Sequence, residues 1–137
     1  MLDALGKYAK FAPVVLRAFL GIGFVAAGMM KILDIPGITP MFATFFGDLA
    51  KPLLILVAVI EVLGGLALLL GVWARVAALI LSVVMVVAMI VSWNIQPFGF
   101  FGDIAQVFGM VPFAYLVMCI AIALRGAQKW ALLPDKT

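Results

Sequence analysis

The sequence predicts an all-α fold: a bundle of four transmembrane helices with a short interfacial helix in its first outer loop. Of its 137 residues, 68% are hydrophobic and 11% are charged, and the mean hydropathy is +1.35. A soluble domain of this size could not bury so much apolar surface. A helix needs about 20 mostly apolar residues to cross a bilayer, and the sequence contains four such stretches. We therefore expect one membrane domain over residues 1–137.

Each predicted span is a long apolar run bounded by charged or turn-forming residues. The first run exceeds the roughly 7–15 apolar residues of a signal peptide, so it is expected to stay in the protein as a helix. Pro52 opens the second span at a position that suits a helix start, and Pro112 lies early in the fourth, where a missing backbone donor costs least. The four spans cover residues 11–33, 51–72, 74–93 and 107–124.

The loop between the first two spans carries the signature of a short helix. Thr39 followed by Pro40 is typical of an N-cap residue and the first helical position. Phe42, Phe45 and Phe46 then follow at helical spacing. An aromatic helix of this kind lies on a membrane interface. The second outer loop, which ends at residue 109, is also rich in aromatic residues and either anchors at headgroup depth or covers a ligand pocket.

The distribution of positive charge predicts the orientation in the membrane. With both termini in the cytoplasm, seven of the nine lysines and arginines lie on that side, and two lie outside. Cytoplasmic loops carry an excess of Lys and Arg, so we expect a multi-pass protein of the cytoplasmic membrane with both termini cytoplasmic. The seven are Lys7, Lys10, Arg17, Arg75, Arg125, Lys129 and Lys136, and the two are Lys31 and Lys51.

Glu61 stands alone in the apolar run AVIEVLGGLALLLG of the second span. It shares a helix face with Gly64 and Gly65, and small residues let a neighbouring helix approach, so Glu61 is expected to face protein. An unpaired charge at mid-bilayer costs about 2.5–3.5 kcal/mol on insertion scales. Arg17 lies about 9 Å above the inner end of its helix and Glu61 about 16 Å above its own. We therefore predict a Glu61–Arg17 pair, with Arg75 as the second candidate partner.

The role of this pair is open from the residues alone. It either braces the helices or places Glu61 as a proton-titrating group beside a ligand pocket. Other candidates for lining such a pocket are Tyr115, Ser82 and Asn94. The chain contains no histidine and a single cysteine, so we expect no metal site within it and no haem held by histidine ligands.

Two segments, LRAFLGIGFVAAGMMKIL and VAVIEVLGGLALLLGVWARVAALILSVVMVVAM, resemble the DoxX-like family of small four-helix membrane proteins. The resemblance implies association with membrane redox chemistry, because members include a subunit of a thiosulfate:quinone oxidoreductase. Many members carry a histidine in the first helix where this sequence has Ala27. The matching positions are Arg17, Gly21, Gly28, Lys31, Glu61, Gly64, Gly65, Gly71, Arg75 and Met85.

Three functions follow as hypotheses. The first is a non-catalytic or accessory membrane subunit of a redox complex, with the Glu61–Arg17 pair bracing or lining an apolar pocket and quinone as the one candidate cofactor. The second is a carrier for a small molecule or a proton, and the third is a structural or assembly subunit without a site of its own. The expected partners are the lipid bilayer and either further copies of the chain or redox subunits. No nucleic acid is expected.

Overall fold

The computed structural model describes residue 6, residues 8–92, residues 110–126 and residue 132. These residues are almost entirely helical, which confirms the all-α prediction. Short 3₁₀ turns at Ala9–Phe11 and Gly47–Leu49 lead into the helices that follow them. The five α-helices of the described residues are α1 (Ala12–Leu33), α2 (Ile35–Phe46), α3 (Ala50–Leu70), α4 (Ala74–Ser92) and α5 (Val111–Arg125).

Three helical stretches of the described chain are long and apolar enough to cross a membrane, which makes this an integral membrane protein. They are Ala9–Leu33, Ile35–Leu70 and Ala74–Ser92. The third predicted span, 74–93, ends at residue 92 in the described helix. Helix α5 is apolar but has only 15 residues. It falls within the predicted span 107–124 apart from its last residue, while residues 107–109 lie outside the described part of the chain. A fourth crossing, and so the complete four-span bundle, stays a prediction.

Helices α1 and α3 are antiparallel and approach closely at their glycines. A Cβ atom built on Gly21 would lie 2.8 Å from the carbonyl oxygen of Gly65, and one built on Gly65 would lie 2.7 Å from that of Gly21. A Cβ on Gly28 would lie 2.7 Å from the carbonyl oxygen of Ala58. Apolar side chains gain little by leaving lipid for protein, so close packing at small residues is what associates such helices. These contacts also fix the register of α1 against α3.

Helix α2 begins earlier than the sequence predicts. The Asp34 side chain caps it by accepting a hydrogen bond of 3.1 Å from the backbone amide of Gly37, so Thr39 and Pro40 lie inside the helix. Pro40 is the sixth residue of this helix, so it cannot donate the backbone hydrogen bond that would otherwise reach the carbonyl oxygen of Pro36. A helix is thus present in this loop, with an earlier start than predicted. Its place at the membrane interface stays a prediction.

One face of α2 packs on the body of the protein. Phe42 is buried and lies against Leu54 of α3 and Val91 of α4 in one apolar cluster. Its ring centroid is 6.0 Å from that of Phe46. Phe45, the third aromatic residue of the predicted set, is exposed. The phenylalanine spacing therefore identified a helix with one packed face.

Helix α3 ends at a glycine that takes the left-handed conformation. Gly71 has φ 69° and ψ 31°. The amide of Val72 donates to the carbonyl oxygen of Ala67 at 2.9 Å, and that of Gly71 donates to Leu68 at 3.3 Å, which is the Schellman arrangement. This geometry explains Gly71 and allows a tight turn into α4.

Replacing Gly71 by alanine is expected to lower the free energy of unfolding by about 1 kcal/mol, because a Cβ atom is disfavoured in the left-handed region. Asparagine visits that region more readily, so Gly71→Asn should lose less. Thermal unfolding in detergent measures both variants. An Asn variant less stable than the Ala variant would contradict this account of the turn.

Candidate functional site

A buried ion pair joins α1 and α3. Lys31 Nζ donates a hydrogen bond of 2.6 Å to Glu61 Oε2. The Glu61 side chain is 1% exposed, while that of Lys31 is 20% exposed. The prediction that Glu61 faces protein is therefore confirmed. Its partner is Lys31, which the sequence placed among the family-motif positions and not among the candidate site residues.

The predicted pairing of Glu61 with Arg17 is wrong, and helix register explains why. The Gly21–Gly65 and Gly28–Ala58 contacts place Glu61 level with about Val25 of α1. With a rise of 1.5 Å per residue, Arg17 lies about 12 Å from that level in one direction and Lys31 about 9 Å in the other.

The direction of the side chains adds to the difference in height. Side chains on a helix tilt toward its N-terminus. Lys31 and Glu61 therefore lean toward each other across the antiparallel pair, whereas Arg17 and Glu61 lean apart. Arg17 is buried, at 3% exposed, nearer the N-terminal end of α1.

The ion pair forms part of the wall of a cavity of about 210 Å³. The rest of the lining within the described residues is mostly apolar and comes from all five helices. Ala27 and Lys31 contribute from α1, Phe42 from α2, Met85 from α4 and Pro112 from α5. This volume lies below the roughly 300 Å³ at the lower end of sites for drug-sized ligands. It suits a single ring or a molecule of similar size.

Tyr115 of α5 lines the same cavity. Its ring stands edge-on to Phe24, with centroids 5.3 Å apart, and to Phe19 at 6.2 Å. A Cβ atom built on Gly23 would collide with the Tyr115 hydroxyl oxygen, so that oxygen lies directly against α1. The aromatic ring holds α5 against α1, and the charged part of the cavity wall is the Lys31–Glu61 pair.

The structure brings only some of the predicted site residues together. Glu61 and Tyr115 line the cavity with the motif residue Met85. Ser82 Oγ donates within its own helix to the carbonyl oxygen of Ala78 at 2.7 Å and is not in the cavity lining. Arg17 is likewise not in the lining. Asn94 lies outside the described residues.

Sequence reasoning missed the contributions of Lys31 and Phe42 to this cavity. For Lys31 the signal was available, since side chains that lean toward each other on antiparallel helices can be recognised once a register is assumed. For Phe42 it was not, because the packing of α2 on the bundle depends on tertiary structure. Within the described residues, no group of three or more acidic, cysteine or histidine side chains could hold a metal ion.

The chain is similar in sequence to a known family of proteins. The DoxX family model matches residues 12–93, which contain the ion pair and four of the five helices. An uncharacterized protein of Haemophilus influenzae is 34% identical over 87 residues, which are 64% of this chain and 63% of that relative. The match thus spans less than two thirds of the relative's length. No solved structure matches the chain.

Proposed function

We propose that this chain, which belongs to the DoxX family of membrane proteins, is an accessory membrane subunit of a quinone-linked redox complex. In this proposal the cavity beside the Lys31–Glu61 pair binds the ring of a membrane quinone. The isoprenoid tail of the quinone lies outside the cavity, among the lipids. The cytoplasmic membrane, with both chain termini in the cytoplasm, is the proposed location.

The observation that carries this proposal is one polar pair in the wall of an otherwise largely apolar cavity. Ligand sites in proteins typically combine apolar walls with a few polar groups that orient the ligand. An ammonium group has three donors, and Lys31 uses one of them on Glu61. The other two can reach a quinone carbonyl, which accepts hydrogen bonds. The volume of about 210 Å³ suits one ring.

Filling the cavity tests the proposal. Ala27 lines the cavity, whereas its neighbour Ala26 is exposed on the outer face of α1. We expect wild-type protein purified from membranes to carry bound ubiquinone or menaquinone, measured by lipid extraction and chromatography. Ala27→Phe should lower the bound quinone at least tenfold, because the larger side chain takes the place of the ring.

Ala26→Phe is the matched control and should retain the quinone of the wild type. Circular dichroism and thermal unfolding should show that both variants keep the helical fold. Wild-type protein that neither carries nor binds quinone would refute the proposed function. Equal quinone content in the two alanine variants would place the quinone somewhere other than this cavity.

A further inference from the structure

We propose that the cavity binds the reduced ligand, a hydroquinone, more tightly than the oxidised quinone, because a phenolic hydroxyl of the ligand donates to Glu61. This inference rests on the proposed quinone site and adds to it the oxidation state that the site prefers. It follows from the unequal burial of the two members of the ion pair.

Lys31 is the member of the pair that reaches solvent or headgroups. Its side chain is 20% exposed and stands in the last turn of α1. Its two remaining donors can therefore bind water or lipid headgroups when the cavity is empty. A quinone carbonyl that accepts from Lys31 replaces an interaction that this ammonium group already has, so the net gain is small.

Glu61 is the member that water hardly reaches. Its side chain is 1% exposed, and its donor among the described residues is Lys31, which bonds to Oε2. A carboxylate offers about four acceptor positions on its two oxygens. Hydrogen bonds to a charged group contribute more than hydrogen bonds between neutral groups. A ligand whose hydroxyl enters the cavity can donate such a bond to Glu61, whereas a second acceptor cannot.

The hydrogen bond formed in this way is of the stronger kind. A hydroxyl that donates to an ionised carboxylate makes a short bond, roughly twice as strong as one between neutral groups. A quinone in the same position would turn a carbonyl oxygen toward the carboxylate, acceptor against acceptor. The geometry therefore favours a ring with a free hydroxyl, either a hydroquinone or a related phenol.

The test compares three probes with the same ring substituents and tail: decylubiquinone, its hydroquinone, and the dimethyl ether of that hydroquinone. Binding to the full chain in nanodiscs is measured without oxygen. We expect the hydroquinone to bind about tenfold more tightly than the quinone. The dimethyl ether keeps the aromatic ring and both of its oxygens but has no donor, so it should bind no better than the quinone.

Two variants test whether Glu61 causes the preference for the hydroquinone. Glu61→Gln removes the charge, and the ratio of the two dissociation constants should fall to within about threefold of one. Ala26→Phe, on the exposed face of α1, should keep the wild-type ratio. If Glu61→Gln does not fold, the comparison of hydroquinone with dimethyl ether on wild-type protein still decides the point.

The outcomes separate this inference from the function on which it rests. If none of the three probes binds, the quinone site itself is refuted. If quinone binds as tightly as hydroquinone or more tightly, the site stands and the preference for the reduced form is overturned. Tight binding of the dimethyl ether would show that ring shape, not the hydroxyl donor, determines affinity.

Discussion

Lys31→Met is expected to lower the free energy of unfolding by about 3 kcal/mol, measured in detergent or nanodiscs. Removing one member of a buried ion pair costs about 3–5 kcal/mol, because the remaining charge stays buried without its partner. Glu61 is the member left behind, and its side chain is 1% exposed. The partial exposure of Lys31, at 20%, places the expected loss at the lower end of the range.

Two further variants make the Lys31 result specific. Lys51 is an exposed lysine at the start of α3, and Lys51→Met should change stability by less than about 0.5 kcal/mol. Replacing the whole pair, as Lys31→Met with Glu61→Leu, should recover most of the loss, since apolar residues often replace buried ion pairs without cost. A double variant no more stable than Lys31→Met alone would contradict the pairing.

The inward orientation of Glu61 was predictable from the sequence because it depends only on the helix face. Gly64 and Gly65 follow Glu61 within one helical turn, and glycines mark the side on which another helix approaches. The prediction needed no knowledge of which helix that was. The all-α class and the approximate bounds of the long helices were predictable for a similar reason, because apolar run length determines them.

The partner of Glu61 could not be found in the same way, because it depends on register. The pairing predicted from the sequence took the depth of Arg17 and of Glu61 in the membrane from the inner end of each residue's own helix. It assumed that both helices begin at the same depth. The contact of Gly21 with Gly65 sets a different relation and brings Lys31 within reach. A stripe of small residues identifies the contacting faces but leaves their relative height undetermined.

The start of α2 shows a second limit of sequence reasoning. Thr39–Pro40 and Asp34–Ile35–Pro36 both offer a capping residue near a proline, and either can begin a helix. The structure uses Asp34, whose side chain bonds to the amide of Gly37. The earlier start gives α2 an extra turn. Phe42 then packs between α2 and the helices beneath it, and contributes to the cavity.

Gly65→Ala is expected to lower the free energy of unfolding by about 2 kcal/mol. Its new Cβ atom would lie 2.7 Å from the carbonyl oxygen of Gly21 and 2.9 Å from the backbone nitrogen of Val25. Backbone atoms cannot turn aside as a side chain can, so α1 must move away from α3, and overpacking of this kind costs about 1–3 kcal/mol. In a helix without a close neighbour the same change would raise stability by about 0.5–1 kcal/mol. Any loss of stability is therefore due to the contact with α1.

The neighbouring glycine provides the matched control. A Cβ atom on Gly64 would meet the Cγ and Cδ atoms of Leu81 at 2.9–3.0 Å, and Leu81 is itself fully buried. Gly64→Ala overpacks the contact of α3 with α4 but moves no backbone of α1, so it should cost less than Gly65→Ala in the same unfolding assay. Separation of α1 from α3 would also lengthen the Lys31–Glu61 bond, so Gly65→Ala should weaken hydroquinone binding while Gly64→Ala leaves it nearly unchanged. Equal stability of the two alanine variants would show that α1 and α3 do not approach at Gly65 as closely as described.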